Sequence, residues 1–451
     1  MLSPPISPLI PALAEASTSS KESSVVHWQH SGSSHSAHWH SERGLAAPAQ
    51  AIAADDTMGA DAALWLMKKG TAIVWLGDFH NARLLLDAVA RRIDAPPKAS
   101  KKPAKAPIKP AESSSPTALD FYRYRQKRAL RARLLGLLLV LVERPTADGR
   151  YALALRRAPD IHAACSEAWD SAAAMQESGS VKISYPAVRA VPLRELLGIT
   201  SSHEWRKKGL EIAALGSAPQ ANRIYPHYGV FSPVRGEYLS LVAEAATWTG
   251  SASGAWPPFA QPPACAFDIG TGTGVLAALL ARRGVQKVVA TDQSLRALDC
   301  ARANIKQLGL QAQVEIIHAD LFPAGRADLL VCNPPWLPAK ASTSLDRAVY
   351  DEGSRMLLGF LAGVPAHLNP GGQAWLIVSD LAELLGLRSR AMLLAAIDKA
   401  GLEVAGKTDI CPLHPKLLDV TDPLHAARQQ EVTSLWQMRM KDEAQKKIKK
   451  G

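Results

Sequence analysis

The sequence has few of the features that mark secreted or membrane proteins. Its five cysteines are scattered and form no Cys-x-x-Cys pair, which argues against a disulfide framework and against a cysteine zinc site. The longest apolar run, Leu134 to Val142, is interrupted by Gly136 and is shorter than the ~20 residues of a membrane-spanning helix. The first residues lack the basic segment and strong apolar core of a secretory signal. We therefore expect a protein of the reducing cytoplasm, with no membrane segment and no metal site.

The positive charge of the chain is concentrated in two segments. The net charge is +11, and the segment from Lys98 to Arg133 holds eleven basic residues against two acidic ones. The segment from Arg439 to Lys450 holds six basic residues against two acidic ones, so the rest of the chain is nearly neutral. Such segments suit a polyanionic partner such as RNA, which they bind by counterion release. Solvated basic tails that bind nothing specific explain the same pattern, and both interpretations stay open.

Length and composition predict two ordered parts joined by a linker. At 451 residues, with 47% hydrophobic residues, the chain can hold two or three domains of the usual ~100–200 residues. The amino-terminal end is rich in Ser, His, Ala and Pro without periodicity, which predicts disorder. The predicted organisation is a disordered extension at 1–57, a helical segment at 58–95, a basic Lys/Ala/Pro linker at 96–117, a mixed, mainly helical substrate-recognition region at 118–219, an α/β domain at 220–440 and a basic tail at 441–451.

Strand and helix patterns alternate throughout the predicted 220–440 domain. Alternation of this kind predicts a mostly parallel, doubly wound α/β sheet, here with seven strands. Ligands bind such sheets at the carboxyl ends of the strands. The predicted strands are 265–269, 288–290, 314–317, 329–332, 374–378, 402–405 and 432–440, and the predicted helices are 275–283, 353–367 and 388–400.

The sequence Asn333-Pro334-Pro335-Trp336 follows the fourth predicted strand. An exocyclic amine or a carboxamide is a poor nucleophile, because its lone pair is delocalised. An Asn side-chain oxygen and a backbone carbonyl held by proline can accept its two N–H groups and draw the lone pair out of conjugation. A neighbouring aromatic ring can stack on a flat substrate. The motif therefore favours chemistry at a planar nitrogen, although Asn-Pro also occurs in ordinary turns.

A glycine-rich turn, Gly270-Thr271-Gly272-Thr273-Gly274, follows the first predicted strand. Its glycines can also be phased as Gly272-x-Gly274-x-x-Ala277, with Asp292 about 20 residues on, which is acceptable for a nicotinamide dinucleotide. Asp268 before the turn, the strand-end sequence Asp320-Leu321-Phe322 and the Asn-Pro-Pro-Trp sequence are not needed by a dehydrogenase. They suit a cofactor with an amino acid at one end and adenosine at the other. Asp292 can accept the ribose hydroxyls, and Asp320 can accept the adenine amine.

These motifs, in this order, resemble the class I S-adenosylmethionine-dependent methyltransferases of the small-domain group. That group includes glutamine methyltransferases of translation proteins and guanine methyltransferases of ribosomal RNA. The resemblance covers roughly residues 225–440. Tyr228-Gly229-Val230-Phe231-Ser232 is similar to the segment that closes over the cofactor in the guanine-modifying members. Tyr350-Asp351-Glu352-Gly353 is closer to the glutamine methyltransferases, and Trp336 departs from the commoner Tyr or Phe.

The resemblance implies a Rossmann-like methyltransferase domain with S-adenosyl-L-methionine as its cofactor. It implies methyl transfer to a planar nitrogen, either a base amine in ribosomal or transfer RNA or a glutamine carboxamide in a translation-related protein. The alternative is an inactive scaffold of the same fold that binds RNA or a protein partner. The implied catalytic residues are Asn333, Pro334, Pro335 and Trp336, and the implied cofactor-binding residues are Phe231, Asp268, Gly270, Gly272, Gly274, Asp292, Asp320, Leu321 and Asn333.

Overall fold

The structure, a computed structural model, contains two large β-sheets that follow one another along the chain. It describes residues 25–95, 116–144, 149–171, 176, 187–218, 221–234, 236–247, 261–343, 345–412 and 419–442. The predictions for residues 1–24, for most of the basic linker and for the end of the basic tail lie outside the described residues.

The first sheet has seven strands of mixed direction. Its order is β1-β2-β7-β5-β4-β3, with β6 paired to β5. Strands β3, β4 and β5 run parallel, whereas β7 is antiparallel to β5 and parallel to β2. The bounds are β1 Val25–His30, β2 Ser33–Trp39, β3 Gln50–Ala54, β4 Thr71–Trp75, β5 Leu138–Arg144, β6 Ala152–Leu153 and β7 Ala187–Pro192.

Among the residues that the structure describes, five helices accompany the first sheet, and its central strands are almost entirely buried. All five residues of β4 are buried, as expected for a short apolar strand that is covered on both faces. Helix α2 begins where the Asp78 side chain accepts a hydrogen bond from His80 N. Helix α3 begins with a capping box made by Thr117 and Asp120. The bounds are α1 Ala60–Lys68, α2 Phe79–Asp94, α3 Ala118–Leu135, α4 His162–Trp169 and α5 Leu193–Lys208.

The amino-terminal sheet corrects one prediction and adds strands to another. The described part of the predicted disordered extension forms β1, β2 and β3. The predicted helical segment and the mainly helical region contain α1 to α5, together with strands β4 to β7 of the sheet. The physical reason is long-range pairing. Strand β2 has little apolar character, but it pairs with β7 far along the chain. Hydrogen bonds of this kind do not appear as local periodicity.

The second sheet has the predicted seven strands, in the order β12-β11-β10-β13-β14-β16-β15. The first five run parallel, and β16 is antiparallel to both β14 and β15. The strand order reverses between β10 and β13, which creates the crevice where doubly wound sheets bind ligands. The bounds are β10 Cys265–Ile269, β11 Lys287–Asp292, β12 Val314–His318, β13 Ala327–Cys332, β14 Leu368–Ser379, β15 Leu402–Ile410 and β16 Thr433–Met440.

Helices cover both faces of the second sheet, as predicted for a doubly wound fold. One hydrophobic core joins the sheet to α6 and α7, and another joins it to α9 and α11. The predicted strands and the three predicted helices agree with the structure to within a few residues, apart from β14 and β15, which extend further. The bounds are α6 Glu237–Ala245, α7 Val275–Arg282, α8 Leu295–Gln307, α9 Arg355–His367, α10 Leu381–Leu384, α11 Arg390–Lys399 and α12 His425–Gln430.

The boundary between the two parts differs from the predicted division at residue 220. A two-stranded sheet pairs β8, Leu210–Glu211, with β9, Arg223–Ile224. The buried side chains of Ile212, Leu215 and Ile224 belong to the core of the second sheet. Residues from about 210 onwards therefore fold with the carboxyl-terminal part, because their apolar side chains are buried there.

Helix α3, in the basic part of the sequence, packs against the carboxyl-terminal part. Phe121 of α3 is 1% exposed and contacts a cluster that contains Leu337, Leu381 and Leu385. Arg125 Nη2 donates a hydrogen bond to the carbonyl of Lys340 at 2.5 Å. The basic helix therefore lies beside the segment that follows the Asn-Pro-Pro-Trp motif.

Candidate active site at the carboxyl edge of the second sheet

A cavity of about 190 Å³ lies at the carboxyl ends of β10, β11 and β13. We refer to it as the strand-edge cavity. Eight of the predicted site residues line it: Phe231, Gly270, Gly272, Asp292, Asp320, Leu321, Asn333 and Pro335. The other four predicted residues, Asp268, Gly274, Pro334 and Trp336, do not line it and lie behind its wall.

The glycine turn after β10 requires left-handed backbone at three positions. Gly270, Gly272 and Gly274 have φ angles of 76°, 56° and 82°, which side chains with a Cβ rarely adopt. A Cβ on Gly270 would lie 2.3 Å from Met356 Cε, whereas a Cβ on Gly272 would meet nothing within 4 Å. The backbone at Gly272 therefore faces open space in the cavity, where a ligand can approach it closely.

Asp268 is fully buried at the end of β10, and it holds the glycine turn in shape. Its Oδ2 accepts hydrogen bonds from Thr271 Oγ1 at 2.6 Å and from Ala277 N at 3.1 Å. Its Oδ1 is buried and has no hydrogen-bond partner among the described residues. Burial raises the pKa of Asp268 to about 6, with a smaller contribution from the nearby charge of Asp292. These bonds make Asp268 a support for the turn, and its direct contact with a cofactor stays a prediction.

Asp292 connects the end of β11 to the same turn. Its Oδ2 accepts a hydrogen bond from Gly272 N at 3.0 Å, and its Oδ1 accepts one from Ser294 N at 2.9 Å. These bonds fix the orientation of the carboxylate at the rim of the cavity. Each carboxylate oxygen has a further lone pair, so Asp292 can also accept hydrogen bonds from a ligand.

Asp320 and Leu321 follow β12 and line the cavity on the other side of Asp292. Leu321 has a φ of 76°, a strained conformation for a residue with a branched side chain. Its carbonyl accepts a hydrogen bond from Thr291 Oγ1 at 2.5 Å, which holds the strained position. Asp320 Oδ2 accepts a hydrogen bond from Arg355 Nη2 at 2.5 Å. Both of these side chains are more than half exposed, so solvent screens the pair.

Asn333 stands at the carboxyl end of β13, and Trp336 orients its side chain. Trp336 Nε1 donates a hydrogen bond to Asn333 Oδ1 at 3.0 Å. The half-buried indole packs against the apolar cores on both faces of the sheet. The indole does not line the strand-edge cavity, and stacking on a substrate, which the sequence suggested, stays a prediction. Its observed contacts make it a support for Asn333.

Several cavity residues were not predicted from the sequence. Arg355 and Met356 come from the start of α9, and Asp351 fixes that helix by accepting hydrogen bonds from Met356 N. The acidic-glycine sequence that contains Asp351 was noted, but only for its resemblance to glutamine methyltransferases. The helix start was predicted at 353, but a local signal of this kind does not show that the start of the helix lines the cavity.

A second, larger cavity opens beside the first and lies between the two parts of the chain. Its volume is about 690 Å³, and we refer to it as the interdomain cleft. Gly229, Val230 and Phe231 line both cavities. The segment that the resemblance places over the cofactor thus separates a small cavity from a large one.

Metal-binding clusters and membrane-spanning helices are both absent from the described part of the chain. Among the residues that the structure describes, no group of three or more His, Cys, Asp or Glu side chains is arranged to hold a metal ion. In the same residues, no helix combines the length and apolar character needed to cross a bilayer.

Comparison with known proteins finds a family match and several relatives for part of the second sheet. Residues 260–385 match the family described as "Methyltransferase small domain". The release factor glutamine methyltransferase of Cereibacter sphaeroides is 34% identical over 161 residues, which is 31% of this chain and 58% of that protein. The ribosomal protein uL3 glutamine methyltransferase of Neisseria gonorrhoeae is 40% identical over 83 residues, which is 18% of this chain and 28% of that protein.

Solved methyltransferase structures are also similar to this chain at low identity. A methyltransferase from Pyrococcus furiosus aligns with 54% of this chain and 98% of its own, at 18% identity and a TM-score of 0.34. A methyltransferase from Thiobacillus denitrificans in complex with S-adenosyl-L-homocysteine aligns with 48% of this chain and 95% of its own, at 15% identity and a TM-score of 0.30.

The matched region contains most of the residues that line the strand-edge cavity, and the match covers only part of each curated relative. This chain spans less than two thirds of the length of both glutamine methyltransferases named above. The matched residues run from the strand before the glycine turn to α10, and they include the Asn-Pro-Pro-Trp sequence. The resemblance drawn from the motifs is confirmed over the matched residues: 260–385 match the methyltransferase small domain, and the relatives named above are glutamine methyltransferases.

Proposed function

We propose that this protein is an S-adenosylmethionine-dependent N-methyltransferase that acts on a planar nitrogen. The observation that carries the proposal is the shared strand-edge cavity. Asn333 and Pro335 line it together with the glycine turn, Asp292 and Asp320. The residues suited to bind an amine and the residues suited to bind the cofactor therefore line the same cavity.

The residues present fit S-adenosylmethionine. Gly272 gives a close approach to the backbone, Asp292 offers oriented acceptors for ribose hydroxyls, and Asp320 lies where an adenine amine can donate to it. Asp268 supports the turn from behind, and its unpartnered Oδ1 adds negative potential to the same end of the cavity. When bound, the sulfonium supplies an electrophilic methyl group.

Asn333 holds the acceptor nitrogen. Trp336 occupies one lone pair of Asn333 Oδ1, and the amide oxygen keeps a second lone pair for an N–H of the acceptor. The rigid Pro334-Pro335 backbone fixes the strand-end carbonyl that accepts the other N–H. Alignment of nitrogen, methyl carbon and sulfur in one line then accounts for most of the catalysis.

The transfer needs no obligatory general base. The nitrogen lone pair forms the N–C bond while the C–S bond breaks, and the electron pair of that bond remains on sulfur as a thioether. The nitrogen becomes acidic and loses its extra proton to water. His318, the histidine at the end of β12, is exposed and lies 3.2 Å from the Gln293 carbonyl through its Nε2, and it does not line the strand-edge cavity.

Two acceptors suit this chemistry, and each has a separate observation in its favour. A glutamine carboxamide in a translation-related protein is favoured by the names of the matched relatives. An exocyclic base amine in RNA is favoured by the arginine-lined interdomain cleft. An inactive scaffold that binds RNA or protein is disfavoured, because a domain without activity would not need an oriented Asn333. Action in the cytoplasm remains a prediction.

Transfer of labelled methyl groups tests the proposal. Purified protein and labelled S-adenosylmethionine are incubated with RNA and with protein fractions from cells that lack this protein. We expect label in one fraction, with none when the fractions come from cells that contain it. Cofactor binding without transfer to either fraction would support the scaffold instead.

A further inference from the structure

The interdomain cleft has three walls that come from distant parts of the chain. Helix α3 contributes Arg125, Arg128, Ala129 and Ala132, whose spacing places them on one face of the helix. The second wall is α5, and the third is the segment with Gly229, Val230 and Phe231 that also lines the strand-edge cavity. A molecule in the cleft therefore lies next to the proposed site of methyl transfer.

Arginine side chains dominate the charge that the cleft presents. Arg43, Arg125, Arg128 and Arg194 line it. Neither Arg43 nor Arg194 has a carboxylate within 4 Å among the described residues, and Arg43 Nε is buried without a hydrogen-bond partner there. Partial desolvation, followed by repulsion from Arg43 and Arg131, lowers the pKa of Arg194.

Three carboxylates line the cleft, those of Glu42, Glu195 and Asp346, and each is engaged within the protein. Asp346 Oδ2 accepts a hydrogen bond from Ser342 N at 3.1 Å. Glu42 Oε1 accepts hydrogen bonds from Trp169 Nε1 at 2.9 Å and lies 3.1 Å from His40 Nε2. Glu195 Oε2 accepts one from Glu42 N at 2.8 Å, and burial raises the pKa of Glu195. The cations without carboxylate partners therefore favour an anion in the cleft.

Two exposed aromatic rings lie in the same cleft. Trp205, near the end of α5, is 58% exposed, and Phe231 is 37% exposed. Exposed rings beside arginines are the combination with which proteins bind single-stranded nucleic acids, since bases stack on the rings and phosphates pair with the cations. An acidic peptide offers anions but few flat rings for such a surface.

Building on the proposed function, we propose that the interdomain cleft binds single-stranded RNA. The phosphates pair with Arg43, Arg128 and Arg194, and a base stacks on Trp205. The strand continues past Phe231, which brings a neighbouring base with an exocyclic amine to Asn333. The cleft is thus the acceptor site, and the amino-terminal part of the chain selects the acceptor.

Fluorescence anisotropy with a labelled single-stranded RNA of mixed sequence tests this site in the full chain. The double variant Arg128→Glu/Arg194→Glu changes the charge inside the cleft. The matched control Arg123→Glu/Lys127→Glu makes the same charge change on the exposed part of α3, at residues that do not line the cleft. Trp205→Ala tests stacking, and S-adenosylhomocysteine binding by calorimetry reports whether each variant keeps its cofactor site.

We expect the cleft variant to bind RNA at least tenfold more weakly and the control to change by less than threefold. Trp205→Ala should weaken binding about tenfold, which a purely ionic site would not show. Equal losses in the two charge variants, or competition by polyglutamate as effective as by RNA, would overturn the proposal. Failure of the wild type to bind RNA would also overturn it, and intact cofactor binding in that case would leave the proposed methyltransferase function standing.

Discussion

Trp336 Nε1 lies 3.0 Å from Asn333 Oδ1 and donates a hydrogen bond to it, so the last residue of the motif orients the first. The indole is partly buried and packs against the two apolar cores of the sheet. Without this bond, the Asn333 side-chain amide could rotate and present either its oxygen or its nitrogen to the cavity. The bond from Trp336 selects one rotamer of the Asn333 side chain and lowers the entropy that must be lost in the transition state.

Replacing Trp336 by Phe should therefore reduce turnover even though an aromatic ring remains. The ring packing is largely retained, but loss of a neutral hydrogen bond of roughly 1–1.5 kcal/mol predicts a turnover about tenfold lower. Affinity for S-adenosylhomocysteine should be unchanged. Trp375→Phe is the matched control, because its indole donates to Gln373 in the same sheet, away from the cavity. Equal turnover in the two variants would mean that the hydrogen bond from Trp336 to Asn333 does not contribute to catalysis.

Asp268 makes the stability of the domain depend on pH. Its folded pKa of about 6 lies above the usual value of about 3.9, so the folded protein binds more protons than the unfolded chain between these values. The contribution of Asp268 to the free energy of unfolding is therefore fully present below about pH 4. It is lost as the pH rises through 6, which lowers the stability by up to about 3 kcal/mol.

Asp268→Asn removes this pH dependence, because an amide can keep the bonds from Thr271 and Ala277 without a charge. Urea unfolding of both proteins at several pH values between 4 and 7.5 measures the difference. We expect the variant to gain stability relative to the wild type as the pH rises. A difference that stays constant over this range would show that Asp268 does not titrate with a raised pKa.

Phe121 should couple the basic helix to the methyltransferase domain. Its fully buried ring fills the cluster around Leu337, and truncation to Ala should cost about 3–5 kcal/mol of stability. Turnover should fall as well, because Leu337 directly follows the Asn-Pro-Pro-Trp motif. Thermal unfolding and turnover are measured together, with Tyr122→Ala at an exposed neighbouring position as the control. A variant as stable as that control would argue against the observed packing of α3.

Asp292 should distinguish S-adenosylmethionine from a nicotinamide dinucleotide. Calorimetry of the wild type should show binding of S-adenosylhomocysteine and no binding of NAD. Asp292→Ala should weaken that binding by roughly 1–3 kcal/mol, because ligand hydroxyls lose their acceptor. Asp299→Ala on α8 is the control, because this half-exposed carboxylate pairs with Arg302 and does not line the cavity, and the variant should bind like the wild type. Tight NAD binding with no S-adenosylhomocysteine binding would contradict the family-based cofactor assignment.

The sequence predicted the methyltransferase domain well because its signals are local. Cys265–Ile269 is a short apolar strand followed directly by a glycine turn, and the structure has that strand with the same bounds. Eight of the predicted site residues meet in one cavity, because parallel strands bring their carboxyl ends to one edge.

The amino-terminal sheet and the support of Asn333 depended on contacts that local patterns do not contain. Glu42 N bonds to Glu195, 153 residues away, and this contact ties the end of β2 to α5. The Trp336 side chain was assigned to substrate stacking, because its sequence position does not show which way the indole points. Arg355 reaches Asp320 from a helix that begins 35 residues later. Each of these relationships arises from tertiary packing.

The Asn333→Ala variant tests most directly whether Asn333 holds the acceptor nitrogen. Thermal stability, affinity for S-adenosylhomocysteine and turnover are determined on one preparation, with the methyl acceptor found by the labelling experiment. The substitution removes the acceptor for the substrate N–H and leaves the glycine turn and Asp292 in place. We predict that stability and cofactor affinity stay near those of the wild type. Turnover should fall by roughly 100-fold or more, the scale of losing one well-placed polar group from a transition state. Turnover near that of the wild type in a folded, cofactor-binding variant would contradict the account, and so would a joint loss of stability and cofactor binding, which a simple turn residue predicts.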